Sequence, residues 1–303
     1  MTRHERGAAV VMAMLVVALS VLLVSGAFYR QSAMLRQVEN EVAAAQARRL
    51  LEGAVDWAGV ILREDARTSA TDHLGEPWAV SLEQTRLDNT GSNNADSDPA
   101  WVSGAIEDAQ ARFNLHNISG PTGPIATEVA VLGRLLELVG SNAMLAEGLA
   151  RHVDAAISTR GAAPEDVTVL PATIDEIVVE DSAERDALAR LRPFVTVLPT
   201  ATAVNVNTAP AEVLAARFEN LALADARRLV ASRDRAYFKD INDLSTRIPG
   251  LPLSDGAGQV TVATQFFLLR GVVEFRRAHL QALVLLKREA GRVEVLWTRE
   301  ALG

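Results

Sequence analysis

The chain has 303 residues, a net charge of -8 and a pI near 5.3, a balance that argues against nucleic acid as the main partner because phosphate binding needs a basic face. It contains no cysteine, which excludes disulfides, thiolate zinc sites, iron–sulfur clusters and a thiol nucleophile. Apolar residues at 49% and charged residues at 22% fit a globular chain of one large domain or two moderate ones.

A short polar leader, residues 1–7, precedes Ala8 to Phe28, a run without a charge. That run has the length of an α-helix crossing a hydrocarbon core of about 30 Å. Arg3 and Arg6 favour a cytoplasmic leader. A secretory signal would carry an apolar stretch of roughly 7–15 residues and a small-residue cleavage site, and Ser25-Gly26-Ala27 offers a poor one. From Tyr29 to Arg67 only Gly53 and Gly59 weaken the helix, so it is expected to continue into water as an amphipathic stalk. Leu51, Val55, Ala58 and Leu62 fall on one stripe, Leu50, Ala54, Trp57 and Ile61 on the adjacent one. Arg48, Glu52 and Asp56 take the opposite face, with Arg48 and Glu52 at pairing distance along the helix.

The stretch Thr68 to Asp98 reads as a loop, carrying Asn89-Thr90-Gly91-Ser92-Asn93-Asn94, with a short strand over Trp78–Leu82. Ala100–Asp108 and Ala111–Asn117 read as two strands joined by a turn near Glu107-Asp108. The period then becomes helical: Ile125–Val139 ended by Gly140, Asn142–Ile157, one or two helices within Ile174–Leu191, then Ala209–Phe218 and Ala222–Arg235. Asn205 and Thr208 are placed to cap the helix that begins near Pro210. Phe266–Phe275, His279–Arg288 and Val293–Arg299 read as three closing strands, with Ala290-Gly291 as the last hairpin turn. The expected fold class is α+β, a long N-terminal transmembrane and stalk helix packed on an antiparallel sheet, with a large all-helical insertion.

A basic leader ending in Gly7, an uncharged helix and an amphipathic continuation resemble type IV pilins and pseudopilins. Ala111-Arg112-Phe113-Asn114-Leu115-His116-Asn117, the stretch Leu191–Pro199 and the stretch Val204–Leu214 resemble signatures of the general secretion pathway protein K family, the large minor pseudopilin of the type II secretion system. The resemblance implies a leader over 1–7, cleavage between Gly7 and Ala8, N-methylation of Ala8, and a membrane helix over 8–28 followed by a stalk over 29–67. It further implies a pseudopilin α/β domain from 68–118 and 262–303 and an inserted helical domain over 119–261. Most pilins carry a glutamate at the fifth mature position; here that position is Met12, a departure also found in this family. Implied partners are the other minor pseudopilins (I, J and H type), the inner-membrane assembly platform and the prepilin peptidase. The implied location is the bacterial inner membrane, single-pass, with the bulk in the periplasm.

Within the insertion, residues 204–251 resemble a helix-hairpin-helix or SAM-like unit. Such units grip DNA through a glycine hairpin, but here the hairpin is Glu219-Asn220-Leu221-Ala222-Leu223, without glycine and with a carboxylate, so a structural role is expected and nucleic acid is not. No phosphate loop, nucleophile elbow or dinucleotide fingerprint occurs, and His4, His73, His116, His152 and His279 have no histidine neighbour at helical spacing; no enzymatic site and no cofactor are expected. Relatives carry an acidic calcium stretch after the second inserted helix. Here Asp154, Glu165 and Asp166 remain as weak candidates, flanked by Val153, Ala155 and Ala156. The resulting reading is a minor pseudopilin that initiates and caps a periplasmic fibre for protein export. The alternatives are a minor pilin of a type IV pilus or a membrane-tethered DNA-binding protein.

Overall fold

The computed structural model describes residues 3–87, 99–158, 173–248 and 259–302; the expected loop at Asn89–Asn94 and the calcium candidates Glu165 and Asp166 lie outside them. Helix α1 (Arg3–Thr68) runs unbroken for 66 residues. Among the described residues it is the helix long and apolar enough to cross a membrane. From Met12 to Val42 every described side chain is exposed, and burial begins at Ala43 and Ala47. The helix thus changes role along its length: its first half has no partner within the chain, and its second half is part of a core.

Strand β1 (Leu82–Leu87) and β2 (Ala100–Asp108) pair antiparallel. The strand expected at Trp78–Leu82 is instead a 3-10 turn, Pro77–Ala79, and β1 starts only at Leu82. Pro77 sets the first turn position, and the indole Nε1 of Trp78 donates to Glu76 Oε2 at 2.8 Å, holding the ring inside rather than on a strand face. β2 continues through Asp108, with the turn at Ala109–Ala111. Only Phe113–Asn114 (β3) of the second expected strand pairs, and it does so parallel to Val195–Thr196. The Asn114 side chain accepts from the His116 amide at 3.1 Å, closing a 3-10 turn over Leu115–Ile118 where an extended chain was expected.

Helices α2 (Ala126–Leu138), α3 (Ala146–Ser158) and α4 (Ser182–Leu191) follow. After them come β4 (Val195–Thr196), β5 (Val204–Asn205), α5 (Ala211–Arg217), α6 (Leu223–Arg233) and α7 (Ile241–Arg247). The two-residue strand β6 (Val260–Thr261) pairs parallel with β5. Phe113, Leu115, Leu132, Leu135, Leu149, Leu191, Val206, Leu214, Phe238 and Leu244 meet in one apolar core. The chain then returns to the sheet as β7 (Phe266–Phe275), β8 (Ala278–Glu289) and β9 (Arg292–Leu302). Ala290 and Gly291 both have positive φ, the backbone that a two-residue hairpin of the favoured twist requires.

The main sheet has the order β1-β2-β7-β8-β9, antiparallel throughout. Side chains alternate across it. Phe267, Leu269 and Val273 of β7 and Leu280, Ala282, Val284 and Leu286 of β8 face α1. Phe266, Leu268 and Leu285 face the other way and are covered in part by Ala109 and Leu198. Gly271 sits where α1 comes closest; a Cβ there would lie 3.1 Å from Leu51 Cδ1.

Candidate functional site

The α1 stripe enters the sheet as follows. Leu51, Ala58 and Leu62 are buried in the cluster with Trp78, Phe267, Val273 and Val284, and Val55 is half-buried against it. Trp57, on the adjacent stripe, stays 54% exposed. Arg48 does not pair with Glu52; its Nε donates to Glu300 of β9 at 3.0 Å, because the sheet edge offers a carboxylate beside it. Gly7 and Ala8 lie within the backbone span of α1, and Met12 is 73% exposed. Asp154, on α3, accepts from Ser119 Oγ at 2.6 Å, which ties α3 to the turn after β3.

One turn past Leu62 the same stripe reaches Asp65, a carboxylate on an apolar face. Arg288 of β8 reaches across, with Nη1 2.8 Å from Asp65 Oδ2 and Nη2 2.5 Å from Asp72 Oδ1. The guanidinium also stacks over the Phe267 ring at 4.7 Å. Asp72 Oδ2 accepts from the Thr264 amide at 2.6 Å, and Glu76 Oε2 accepts from the His73 amide at 2.9 Å. Burial first, and then the charge of Glu76, push the Asp65 carboxyl up to about 6. Burial also raises Asp72, against the pull of Arg288. Asp65, Asp72 and Glu76 bring oxygens within 4.8 Å of one another. A cation is already there: Arg288 bonds Asp65 and Asp72, Asp72 Oδ2 also accepts from the Thr264 amide, and Glu76 Oε2 takes the His73 amide and the Trp78 indole.

Asp108, at the end of β2, is the second knot. It is buried and accepts from Gln110 N at 2.7 Å, Thr264 Oγ1 at 2.5 Å, Asn205 Nδ2 at 2.9 Å and Thr208 Oγ1 at 2.6 Å. Asn205 also donates to the Asp72 carbonyl at 3.0 Å. Asn205 and Thr208 therefore do not cap α5 with their side chains, as the sequence suggested. Pro210 occupies the N-cap position without a side-chain cap, and the two side chains are turned back to the sheet. Neighbouring asparagines work alike. Asn114 Nδ2 donates to the Thr200 carbonyl at 2.8 Å, while its Oδ1 accepts from Leu198 N at 3.1 Å. Asn117 donates to and accepts from Thr202, and Asn207 does the same with Phe238. The three sequence motifs over 111–117, 191–199 and 204–214 thus converge on one buried, hydrogen-bonded junction between the sheet and the helical block.

That junction sits at the C-terminal end of α1, where Asp65 lies, so the helical block is carried at the end of the sheet furthest from the apolar half of α1. Two further ties brace the block. Arg217 Nη1 bonds both Glu128 oxygens, at 2.8 and 3.0 Å, joining α5 to α2; His152 Nε2 stands 3.2 Å from Glu184 Oε2, joining α3 to α4. At the hairpin between α5 and α6 the Leu221 amide donates to Phe218 O at 3.1 Å, which spends a donor that a phosphate-gripping hairpin would present. On the open face of the sheet, burial opposes ionisation of Glu107, but Arg112 and then Arg270 hold it below the usual carboxylate range. Sequence reasoning missed the Asp65–Asp72–Arg288 and Asp108 knots. Asp65 had a signal, since it continues the spacing of Leu51, Val55, Ala58 and Leu62; Arg288 had none.

Comparison with known proteins agrees with this layout. A family model for Type II secretion system (T2SS), protein K, matches residues 204–264. Type II secretion system protein K of Pseudomonas aeruginosa is 28% identical, the match covering 98% of this chain and 93% of that protein. The protein of the same name from Klebsiella pneumoniae is 27% identical, covering 99% and 97%. A chain in the crystal structure of the GspK-GspI-GspJ complex from the enterotoxigenic Escherichia coli type 2 secretion system superposes with a TM-score of 0.69 at 20% identity. That match covers 88% of this chain and 99% of that one, and it supports the α+β fold.

Proposed function

We propose that this chain, which is similar to type II secretion system protein K along nearly its whole length, is the minor pseudopilin at the tip of the periplasmic pseudopilus, where it initiates and caps the fibre for export across the outer membrane. The observation that carries the reading is the position of the helical block. A fibre subunit of this kind is stacked through its α1, and the block that carries α2 to α7 at the distal end of the sheet stands where the next subunit would have to sit. Its partners are then the I, J and H type minor pseudopilins, which meet it along the exposed stretch of α1, and the inner-membrane assembly platform beneath.

Met12 supports the same position. A carboxylate within a membrane helix is costly unless it is paired. In fibre subunits the glutamate at this place pairs with the N-terminal amine of the neighbour above. A subunit with no neighbour above has no such amine to offer its own glutamate, and a neutral side chain avoids the orphan charge. The amine of Ala8 stays available to the glutamate of the subunit below. The chain is anchored in the inner membrane by residues 8–28, and the rest extends into the periplasm.

The test is processing together with export. Intact-mass analysis of the protein from membranes should give a mature chain beginning at Ala8, seven residues shorter and carrying one methyl group. Removing the gene should abolish export, and Gly7→Leu should leave the leader attached and fail to restore it. Cleavage near Ser25, or a retained leader in a secreting strain, would sink the proposal.

A further inference from the structure

Between α1 and the β1–β2 side of the sheet the packing leaves an open cavity of about 330 Å3. Its floor is bare. Gly104 of β2 and Gly271 of β7 are directly paired and both line it, whereas the next residues in the same row, Leu82 and Ala282, carry side chains. From α1 it is lined by the short side chains of Ala54 and Ala58, which leave it unfilled. Protein interiors hold few voids larger than a water molecule. Ser81 and Ser103 are the polar residues of the lining, and no charged residue is part of it. The cavity has nothing to hold an ion and suits a bulky apolar group.

Val80, 74% exposed, and Trp57, 54% exposed, are the large apolar lining residues left in solvent. They set the mouth between α1 and the link into β1. Leu35, Val42, Leu50 and Trp57 recur at intervals of seven or eight residues, which puts them on one side of α1. Leu35 and Val42 are exposed and Leu50 is half-buried, so an apolar stripe open to a partner runs along the helix to the mouth. Residues 88–98, which follow β1, carry no apolar side chain larger than alanine and cannot supply a plug. A helix laid along the stripe meets the hole with a knob. Trp57 lies roughly 44 Å along the helix from Phe28, so a helix anchored in the same bilayer reaches it with the distal part of an equally long stalk.

We propose that the cavity between α1 and β1–β2 receives a bulky apolar side chain, of leucine, methionine or phenylalanine size, from the distal stalk helix of a neighbouring minor pseudopilin. Granted the secretion reading above, on which this rests, the exposed stripe of α1 aligns the partner and the cavity selects it by the size of one side chain.

The test uses the full chain in membranes of cells that make all the minor pseudopilins. A photo-crosslinking benzoylphenylalanine is placed at Val42 on the stripe, at Val80 on the mouth or, as a control, at Val295 of β9 on the opposite edge of the sheet. Mass spectrometry should find the Val42 and Val80 adducts on the stalk helix of the same minor pseudopilin, and none from Val295. Ala54→Phe fills the cavity without vacating any space; it should cut the Val80 adduct at least fivefold and keep the Val42 adduct. Should Ala54→Phe fail to fold, Val80→Asp, a change at an exposed position, decides the matter: it should lower recovery of that partner at least fivefold. An adduct from Val42 without one from Val80 would overturn the pocket and leave the secretion reading standing, and loss of both would remove that reading and the pocket with it. A Val80 adduct with a second copy of this chain, a lipid or an exported protein would assign a different occupant, and an undiminished Val80 adduct in folded Ala54→Phe would show that the partner does not enter the cavity.

Discussion

Ionised Asp65 is held in the fold at a cost, since its carboxyl is raised to about 6 from the ordinary value near 4 of an unfolded chain. A carboxyl raised on folding binds its proton more tightly in the native state. Stability from this group is therefore full below about pH 4 and is lost as pH rises through 6. Asp72 is raised too and adds a slope of the same sign. Asp65→Asn removes the titration but keeps a polar group facing Arg288. In urea unfolding of the full chain in micelles, the wild type should lose ground to Asp65→Asn by about 1–3 kcal/mol between pH 4 and 7; equal slopes would show that Asp65 titrates as an exposed residue does. Asp108 shifts in the same direction but is held differently. Its carboxyl is also raised by burial, yet four donors converge on it. Asp108→Ala leaves Asn205, Thr208 and Thr264 with unanswered polar atoms in a dry site, and should cost about 2–4 kcal/mol at pH 7, read as a lower urea midpoint.

At the scale of the element, α1 shows where a sequence pattern stops being informative. Periodicity over residues 50–62 gives a broad apolar face, but it cannot say which edge of that face the sheet covers. The structure covers Leu51, Ala58 and Leu62 and leaves Trp57 largely in solvent. Leu62→Ala should therefore cost about 2–5 kcal/mol, while Trp57→Ala, which vacates little buried space, should cost under about 1 kcal/mol; a Trp57 loss as large as that of Leu62 in the same urea assay would contradict this packing. Trp57→Ala is then free to report on partners: in a secreting strain it should reduce recovery of the other minor pseudopilins without unfolding the chain. The long helix, the three C-terminal strands and the separate helices α2 to α6 were legible because each is a segment with one period. The short pieces were not. Phe113–Asn114 pairs with Val195–Thr196, some eighty residues on, and Pro77–Ala79 is shaped by a proline and a buried Trp78–Glu76 bond; neither signal is periodic. The asparagine-rich motifs were visible as motifs, but their physical role, side chains standing in for backbone partners across a junction, depends on contacts distant in sequence.

For the whole molecule, the decisive feature is that Asp108 and Phe267 are directly paired neighbours in the sheet, although more than a hundred and fifty residues separate them. A helical block that leaves and re-enters a sheet at adjacent positions is removable in principle, because a short turn spans the same gap. The junction also says what that removal uncovers. Deleting residues 120–258 takes away Asn205 and Thr208, two of the four donors to Asp108, and takes Leu198 off Phe266, Leu268 and Leu285. A bare deletion should therefore be less stable than the parent, and one that also carries Asp108→Ser and Leu268→Thr should recover much of the loss, since it replaces the orphaned carboxylate and the uncovered leucine by groups that tolerate water. The repaired chain keeps α1, its packing on β7 and β8, and the Arg288 contacts to Asp65 and Asp72, so it should still insert in the membrane and still be recovered with the other minor pseudopilins. Export, or control of fibre length, should fail, because nothing bulky then stands at the distal end of the sheet. Normal export by the repaired deletion would remove the block from the capping role. Failure of the repaired chain to fold or reach the membrane would show that the sheet and α1 do not form a unit without the block, and that the junction is a shared core rather than a seam.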